Sequence, residues 1–496
     1  MGSMSFLLPN PVPPAAVPLL RLACFAGGYD QTPVPTTVVV ENGRLVATRG
    51  TDESGYLLVP WPVGPAGAFV TTTSTLRERA EPYSLVVELA RGKLNQVRTQ
   101  TAEWRDIGLQ TPADYDRDLA DAVRMFGTAV QAGPSAEADA AAGRVIERGY
   151  RLADRLVRLF IEQMLATREH EDGKQTTWLA ARTAAPPVPA LADDYRGAFT
   201  AARIGARWRD VEPTEAHYNW GPLDLAVAAA TTAGLPVAFG PVIDIGPGML
   251  PLWAAGWEGD LPTLAAFMCD YLETVVKRYR GSVKRWVVCA GFNHSAGLGL
   301  SDDDRLRLAA RLFEAALQLD PGLDLVLGVA QPWGDYLVRA DQTISPLGFA
   351  DDLVRTGLKL SGVELEVRNA TAPRGSLPRD LLDTSRLIDL FGLLGLPLEI
   401  VLSHPASGRP DPATKDHNEE VWAPAWRGGP TPEGQAEWGA SFAALALCKP
   451  QVRSVTWDHW SDADPHLTPF GGLVDAAGHP HLLLARLQAL RAAHLA

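Results

Sequence analysis

Cysteine is scarce in this chain, and positive charge is outnumbered by negative charge. The four cysteines, Cys24, Cys269, Cys289 and Cys448, follow neither a disulfide spacing nor a metal-site spacing. We therefore expect reduced, mostly buried thiols. The 45 lysine and arginine residues face 58 aspartate and glutamate residues, which gives a formal net charge of −13. Because binding to a phosphate backbone needs clustered cations, this balance argues against a nucleic-acid partner and against anionic glycans as preferred ligands.

Long apolar runs are also missing from the chain. No run approaches the roughly 20 residues needed to cross a bilayer, so no membrane association is expected. The residues after Met4 lack the cationic start and apolar core of a secretory leader. We therefore expect a cytoplasmic protein, unless a leader has been removed.

The longest regular pattern begins near residue 176, where short apolar runs alternate with helical spacing. Eight strands separated by helices are what a parallel (β/α)8 barrel requires. The strands are predicted at 177–181, 201–206, 237–243, 285–289, 323–330, 362–367, 398–402 and 454–457. At 496 residues the chain exceeds one barrel of about 250 to 400 residues, so a second module is expected before it.

The first 80 residues read as a small antiparallel β unit. They carry β-branched runs at 36–41 and 68–73. Asn42-Gly43 and several prolines interrupt these runs, as is typical of turns between short strands. We assign residues 1–80 to this β-rich module.

Helical spacing follows over residues 81–172. Apolar residues recur at intervals of three and four between 86 and 104, and Thr111-Pro112 predicts the start of a second helix. Ser135 is expected to cap a third helix that ends near Arg168. The polar run 169–175 is predicted to link this segment to a barrel over residues 173–496.

Several segments resemble glycoside hydrolase family 10, the xylanase family, and they occur in the family's order. They are 207–213 with 218–220 (second barrel strand), 271–285 (the helix before the fourth strand), 362–366 (sixth strand), 394–402 (seventh strand), and 455–462 with 472–480 (eighth strand and closing loop). The resemblance covers roughly residues 176 to 496. It implies a (β/α)8 glycosidase-like barrel, preceded here by the small β unit and the helical segment.

The chain departs from that family at both catalytic positions. Aligned from Trp286, Gly291 takes the place of the family's acid/base glutamate, and Leu402 takes the place of its nucleophile. Hydrolysis of a glycosidic bond usually needs two carboxyl groups, and neither position supplies one. The resemblance therefore implies a carbohydrate ligand, with no metal and no other cofactor, but not the double-displacement reaction of the family.

Other carboxyl groups could have taken over the chemistry, because residues at the C-terminal ends of barrel strands face the cleft. Glu366 is the first candidate, since it aligns with a cleft-facing glutamine of the family. Glu364 lies on the same strand face one step deeper, and Asp458 aligns with a cleft tryptophan. Two carboxylates on one inward face should raise the pKa of one of them. The alternative is that they form ion pairs with Arg368 or Arg207.

The remaining strand-end residues are candidates for substrate binding. They are Arg207, Trp208, Asp244, Asn293, His294, Gln331, Trp333, Arg368, His404, Trp457 and Asp462. For Asp244 we favour the capping of a backbone turn. His294 and His404 lack the paired spacing of a metal site. Tryptophans near the strand ends, Trp422 among them, favour a cleft that binds a flat and polar molecule.

Two functions remain open from the sequence. One is a divergent glycoside hydrolase that uses relocated carboxylates on a small or imported glycoside. The other is a glycan-binding or scaffold protein without catalysis, because a fold does not decide function. In the hydrolase, Glu366 and Asp458 should both face the cleft, separated by about 5 to 5.5 Å for retention or 6.5 to 9.5 Å for inversion.

Overall fold

The computed structural model describes residues 2–28, 30–294, 298–338, 342–369, 377–414 and 426–496. Within the described part of residues 2–84, two small sheets have the strand orders β4-β5-β1-β8 and β3-β2-β6-β7. These strands are β1 (Gly2–Leu7), β2 (Cys24–Gly27), β3 (Thr32–Pro33), β4 (Thr36–Glu41), β5 (Arg44–Arg49), β6 (Tyr56–Pro62), β7 (Ala68–Thr72) and β8 (Tyr83–Ser84). Asn42 and Gly43 both have positive φ angles, 48° and 71°, as a two-residue hairpin turn between β4 and β5 requires.

Long helices follow the sheets. They are α1 (Leu85–Asp106), α2 (Ala113–Gln131) and α3 (Ala136–Asp172). The Ser135 hydroxyl caps α3 by accepting a hydrogen bond from the Ala138 amide at 3.2 Å. Pro112 occupies the N-cap of α2, one residue later than the Thr111 cap expected from the sequence. The predicted linker at 169–175 is wrong in its first half, because polar residues continue α3 until Gly173, at φ 74°, ends it.

Parallel strands form the second part of the chain. They are β9 (Trp178–Thr183), β10 (Ala202–Ile204), β11 (Val237–Phe239), β12 (Ile243–Asp244), β13 (Val283–Ala290), β14 (Asp324–Ala330), β15 (Gly362–Arg368), β16 (Leu398–Ser403) and β17 (Val452–Trp457). β11 and β12 are successive segments at one position, since both pair with β13. Pairing of β17 with β9 closes the sheet, so the described residues form an eight-position parallel barrel. This confirms the predicted (β/α)8 fold with β units before it.

Helices alternate with these strands. They are α4 (Ala192–Ala198), α5 (Trp208–Val211), α6 (Gly221–Thr232), α7 (Leu252–Ala255), α8 (Leu261–Tyr279), α9 (Asp302–Leu319), α10 (Pro346–Arg355), α11 (Leu381–Gly392), α12 (Pro432–Cys448) and α13 (Leu482–His494). Several begin at a side-chain cap, for example Asp260 for α8 and Ser301 for α9, which satisfies a free amide of the first turn. Among the helices of the described ranges, none is both long enough and apolar enough to cross a membrane.

The N-terminal helices pack on the barrel, where α3 contacts α11 and α12. A buried ion pair crosses this boundary: the Lys93 ammonium on α1 lies 2.5 Å from the carboxylate of Asp380, which caps α11. Their side chains are only 3% and 9% exposed. One continuous apolar cluster extends from Met4 to Leu495. The two parts of the chain therefore share a core.

Charged residues are buried toward the N-terminal ends of the barrel strands. The Arg203 guanidinium on β10 contacts both carboxylate oxygens of Glu364 on β15, at 2.9 and 3.0 Å. Neighbouring Glu399 on β16 accepts hydrogen bonds from Arg453 at 3.0 Å and pairs with Arg285 at 3.2 Å. Buried charges need such partners, because an unpaired ion loses its hydration without compensation. This network fixes Glu364 well below the strand ends.

Candidate functional site

A cavity of about 310 Å³ lies at the C-terminal ends of β9 to β12 and β17. Barrel enzymes carry their active sites at this end. Four of the residues that the sequence singled out line it: Arg207, Trp208, Asp244 and Asp458. Further lining comes from the loop after β16, at Ala413 and Thr414, and from the loop after β17, at 464–467.

A cluster of guanidinium and carboxyl groups lies at the C-terminal end of the barrel, beneath this cavity. Arg368, the last residue of β15, contacts Asp458 twice, through Nε at 2.8 Å and through a terminal nitrogen at 3.2 Å. Its other terminal nitrogen lies 2.5 Å from Oε2 of Glu366. Arg182, near the end of β9, adds a third contact to Asp458 at 2.9 Å. Arg368 therefore joins the two carboxylates that the sequence proposed as a catalytic pair.

Burial and neighbouring charge give the two carboxyl groups different pKa values. Burial opposes the ionisation of Asp458, yet the charges of Arg368 and Arg182 hold its pKa well below the ordinary value. For Glu366, burial raises the pKa to about 7, and the charge of Arg368 opposes this only in part. Asp458 is thus an ionised anchor, whereas Glu366 titrates near neutral pH.

Glu366 and Glu364 both lie outside the described lining of the cavity. Glu366 is 4% exposed, and its Oε1 is buried without a hydrogen-bond partner in the described part of the chain. Its contact with Arg368 uses one oxygen only. Glu364 is completely buried and belongs to the Arg203 network. The structure therefore brings Asp458 to the cavity surface, but neither glutamate.

Asp244, the last residue of β12, does line the cavity. Its Oδ1 accepts a hydrogen bond from the Gly246 amide at 2.8 Å, which is the turn-capping contact that the sequence favoured. Burial raises the pKa of Asp244 above its ordinary value. Within the described residues no lysine, arginine or histidine lies within ion-pair distance of its carboxylate. Unlike Asp458 and Asp210, Asp244 therefore lines the cavity without an ion pair to an arginine of the described residues.

Gly291, which the sequence predicts at the place of the family's acid/base, is next to Asp244. A Cβ atom at position 291 would lie 3.2 Å from Oδ1 of Asp244, and Gly291 has a φ of 77°. An L side chain rarely adopts that backbone conformation. A side chain at position 291 would therefore begin in tight contact with the carboxyl group of Asp244.

Several other strand-end candidates form side-chain hydrogen bonds with backbone groups of neighbouring segments. The Asn293 side chain donates to the Ala330 carbonyl at 2.7 Å and accepts from the Ala330 amide at 3.0 Å, so it ties the loop after β13 to β14. The indole of Trp457 donates to the Gly471 carbonyl at 2.7 Å. The carboxylate of Asp462 accepts from the Gly472 amide at 2.7 Å.

The remaining candidates are dispersed around the barrel end. His404 is fully buried against Trp438, and burial lowers its pKa to about 4. His294 packs near Tyr336, with ring centres 5.6 Å apart. Gln331 follows β14 in a left-handed conformation, at φ 47°. Trp333 lies in a different cavity, between the barrel and the N-terminal sheets.

Most tryptophans near the strand ends are packed into the core. Trp208, Trp426, Trp457 and Trp460 are at most 3% exposed. Trp208 stacks on Tyr271 with ring centres 4.7 Å apart and reaches the cavity only as part of its wall. Trp422 lies outside the described residues.

Among the polar residues of the cavity lining that sequence reasoning missed are Arg182, Asn219 and His466. Arg182 could have been found, because it lies one residue beyond the predicted end of the first barrel strand at 181. Asn219 and His466 lie in loops, where no periodic pattern indicates the direction of a side chain.

Comparisons with known proteins give partial matches. No protein-family model matches the chain. It is 34% identical over 82 residues to endo-1,4-beta-xylanase A of Fusarium oxysporum f. sp. lycopersici, a match that covers 16% of this chain and 24% of that protein. Endo-1,4-beta-xylanase 1 of Gibberella zeae is 30% identical over 82 residues, covering 16% and 23%. The chain spans about a quarter of the length of these curated relatives. These partial matches confirm that the chain is similar to xylanases, as its sequence motifs predicted.

Solved structures of xylanases are also similar to this chain. Xylanase 10B from Thermotoga maritima has a TM-score of 0.45 at 16% identity, and the match covers 67% of this chain and 97% of that one. A GH10 endoxylanase from a sugarcane soil metagenome has a TM-score of 0.48 at 16% identity, covering 66% and 99%. The Thermobacillus composti GH10 xylanase has a TM-score of 0.44 at 18% identity, covering 66% and 99%.

Proposed function

We propose that the cavity at the C-terminal end of the barrel binds a small neutral carbohydrate, and that Asp244 is the carboxyl group in contact with it. The observation that carries this proposal is the lining of the cavity. Asp244 and Asp458, with Arg182 and Asn219, face the same enclosed space. Sugar hydroxyls both donate and accept hydrogen bonds, and carboxylate, guanidinium and amide groups are the side chains that complement them.

The size of the cavity supports a small ligand. At about 310 Å³ it lies at the lower end of ligand pockets, which span about 300 to 1,000 Å³. Loops after β16 and β17 contribute to its walls at Ala413, Thr414 and Leu467. A mono- or disaccharide suits this volume better than a polymer chain.

The charges around the cavity support a neutral ligand. Asp458 is matched by Arg368 and Arg182, and Arg207 pairs with Asp210 at 2.7 Å. Side-chain ions that already form ion pairs can still form directed hydrogen bonds with a ligand, but each pair carries little net charge. An ionic ligand would therefore gain little from this site.

Hydrolysis of a small glycoside is a second candidate, and one observation favours it. Asp244 has a raised pKa, lines the cavity and adjoins Gly291, which aligns with the family's acid/base. A raised pKa makes a carboxyl group better suited to serve as a general acid. In this candidate Asp244 replaces Glu366 as the acid, and Asp458 is the second carboxyl group.

Calorimetric titration with neutral mono- and disaccharides tests the binding proposal. We expect Asp244→Asn to weaken the affinity by about tenfold, because the amide loses an acceptor oxygen. Asp193→Asn is the matched control, since the Asp193 side chain is 88% exposed and remote from the cavity lining. Absence of binding by the wild-type protein across the panel would contradict the proposal and leave a scaffold role.

Nitrophenyl glycosides separate the two candidates. A hydrolase should release nitrophenol, and Asp244→Asn should then lower turnover by on the order of a hundredfold or more while binding persists. A binding protein should bind the same compounds and cleave none.

A further inference from the structure

The loop after β17 gathers two histidines and an aspartate. One ligand atom each from His459, Asp462 and His466 lies within 4.8 Å of the others. The three side chains are only 7%, 6% and 1% exposed. We propose that these residues bind a divalent transition-metal ion, with Zn²⁺ as the best match, at the edge of the cavity. The sequence predicted no metal, because the spacing of these residues matches no known motif.

His459 gives the first independent observation. Both of its ring nitrogens are buried, and neither has a hydrogen-bond partner in the described part of the chain. Its Nε2 lies 3.7 Å from Oδ1 of Asp462, too far for a hydrogen bond. A buried polar group without a partner costs about 1 to 3 kcal/mol, so such groups in folded proteins usually mark an ion or a water molecule.

The orientation of His466 gives the second observation. Its Nδ1 lies 2.7 Å from the Asp464 carbonyl oxygen, so this nitrogen donates its hydrogen there. In a neutral ring Nε2 then carries the lone pair, and it lies 2.9 Å from Oδ2 of Asp411. In a doubly protonated ring Nε2 instead donates to Asp411, so metal binding through Nε2 would release one proton and replace this hydrogen bond. A backbone carbonyl on Nδ1 is also the usual support of a histidine that binds metal through Nε2.

Outer groups hold the aspartate in position. Oδ1 of Asp462 accepts the Gly472 amide at 2.7 Å, while Oδ2 lies 3.8 Å from Nε2 of His481. His481 in turn contacts the Gly472 carbonyl through Nδ1 at 3.0 Å. Partners of this kind orient ligands and tune metal affinity.

Ligand chemistry selects the metal. Two imidazoles and one carboxylate suit Zn²⁺ and its neighbours, whereas Ca²⁺ and Mg²⁺ prefer sites made of oxygen alone. The rings of His459 and His466 are stacked, with centres 4.4 Å apart and an angle of 5° between their planes. Because the lone pair of an imidazole lies in the plane of its ring, metal binding requires the unpartnered His459 ring to rotate toward the ion. His459 and His466 both line the cavity, which would leave the open coordination position facing it. Binding of Zn²⁺ at these residues does not depend on which molecule the cavity binds.

Titration of chelator-treated, full-length protein with Zn²⁺ tests the site. We expect one equivalent to bind with a dissociation constant in the micromolar range or tighter, and Co²⁺ to give the visible absorption of a nitrogen- and oxygen-ligated ion. His459→Gln and His466→Gln should each weaken Zn²⁺ binding by at least tenfold. His479→Gln is the matched control, because His479 lies in the same region but its side chain is 79% exposed.

The change in Tm on addition of Zn²⁺ tests the site even if a variant is less stable than the wild-type protein, because each protein is compared with itself. Added Zn²⁺ should raise the Tm of the wild-type protein and of His479→Gln, because an ion that binds only the folded state stabilises it. It should leave the Tm of Asp462→Asn and of the two histidine variants unchanged. Wild-type protein that binds no Zn²⁺, or a His459→Gln/His466→Gln double variant that binds it as tightly, would overturn the proposal.

Discussion

The carboxyl group of Asp244 and the bare Cα of Gly291 fit against each other at the end of the barrel. Oδ1 of Asp244 would lie 3.2 Å from a Cβ at position 291, and the φ of Gly291 is 77°. The tight contact and the backbone conformation both favour glycine there. The absence of a side chain at position 291 and the inward position of Asp244 are therefore two aspects of one local arrangement.

This arrangement predicts that restoring the family's glutamates will not restore the family's reaction. Gly291→Glu must adopt a left-handed backbone, which costs about 1 to 2 kcal/mol, and must displace Asp244. Leu402→Glu places a carboxyl group at a side chain that is 1% exposed in the packed barrel. We expect no reducing-sugar release from xylan by the double variant.

Gly291→Ala is the control, since it tests the backbone and the contact without adding a charge. The unfolding midpoint of Gly291→Ala should be lower than that of the wild-type protein. In the xylan assay, the wild-type protein and the single variant Leu402→Glu should both be inactive. Xylan hydrolysis by the Gly291→Glu/Leu402→Glu variant would contradict this prediction. It would show that the residues around positions 291 and 402 still support the reaction.

Removal of the central arginine should destabilise the protein. Arg368→Met leaves Asp458 buried with Arg182 as its remaining guanidinium, and it strips Glu366 of its partner. Breaking a buried pair in this way costs about 3 to 5 kcal/mol. Denaturant unfolding should show a loss of this size. Arg355→Met should change the free energy of unfolding by less than about 0.5 kcal/mol, because Arg355 is 75% exposed and pairs with Asp351 on the surface. Equal effects of both changes would refute the assigned role of Arg368.

Glu366 should give the stability of the protein a characteristic pH dependence. Burial raises the pKa of Glu366 to about 7, from an ordinary value of 4.5. The folded chain therefore holds this proton at pH values where the unfolded chain releases it. The stabilisation is fully present below about pH 4.5 and is lost as the pH rises to about 7.

Glu366→Gln mimics the protonated form and should remove this loss. Relative to wild type, the free energy of unfolding of the variant should rise by up to about 3 kcal/mol between pH 4.5 and pH 7.5. Denaturant titrations at a series of pH values measure the difference, with Glu437→Gln on the surface as the control. A constant difference across this range would show that Glu366 ionises with its ordinary pKa.

The boundary between the N-terminal helices and the barrel gives a further prediction. Lys93→Met leaves the carboxylate of Asp380 buried without its ammonium partner, at an expected cost of about 3 to 5 kcal/mol. The double variant Lys93→Met/Asp380→Asn removes both charges and keeps a side chain that can cap α11, so it should be more stable than the single variant. Lys277→Met, at an exposed pair with Glu273, is the control in the same unfolding assay. A double variant no more stable than Lys93→Met would mean that the buried charge is not the cause.

Much of the fold could be predicted from the sequence. Runs such as 323–330 and 398–402 became β14 and β16, because a strand buried on both faces must be apolar along most of its length. The hairpin at Asn42-Gly43 and the cap at Ser135 followed from backbone rules that act within a few residues. The linker predicted to begin at residue 169 was wrong over 169–172, because a polar sequence alone does not end a helix.

The candidate site depended on packing across distant segments. The sequence alone established that positions 291 and 402 carry no carboxylate and that Glu366 and Glu364 share one face of a strand. Only the tertiary structure decided that Arg203 holds Glu364, that Arg368 joins Glu366 to Asp458, and that Asp244 reaches the cavity. Alternation along a strand is local and fixes the direction of a side chain. Its depth and its partners depend on distant residues that only the closed barrel brings together, such as Arg203 and Glu364, which are 161 positions apart.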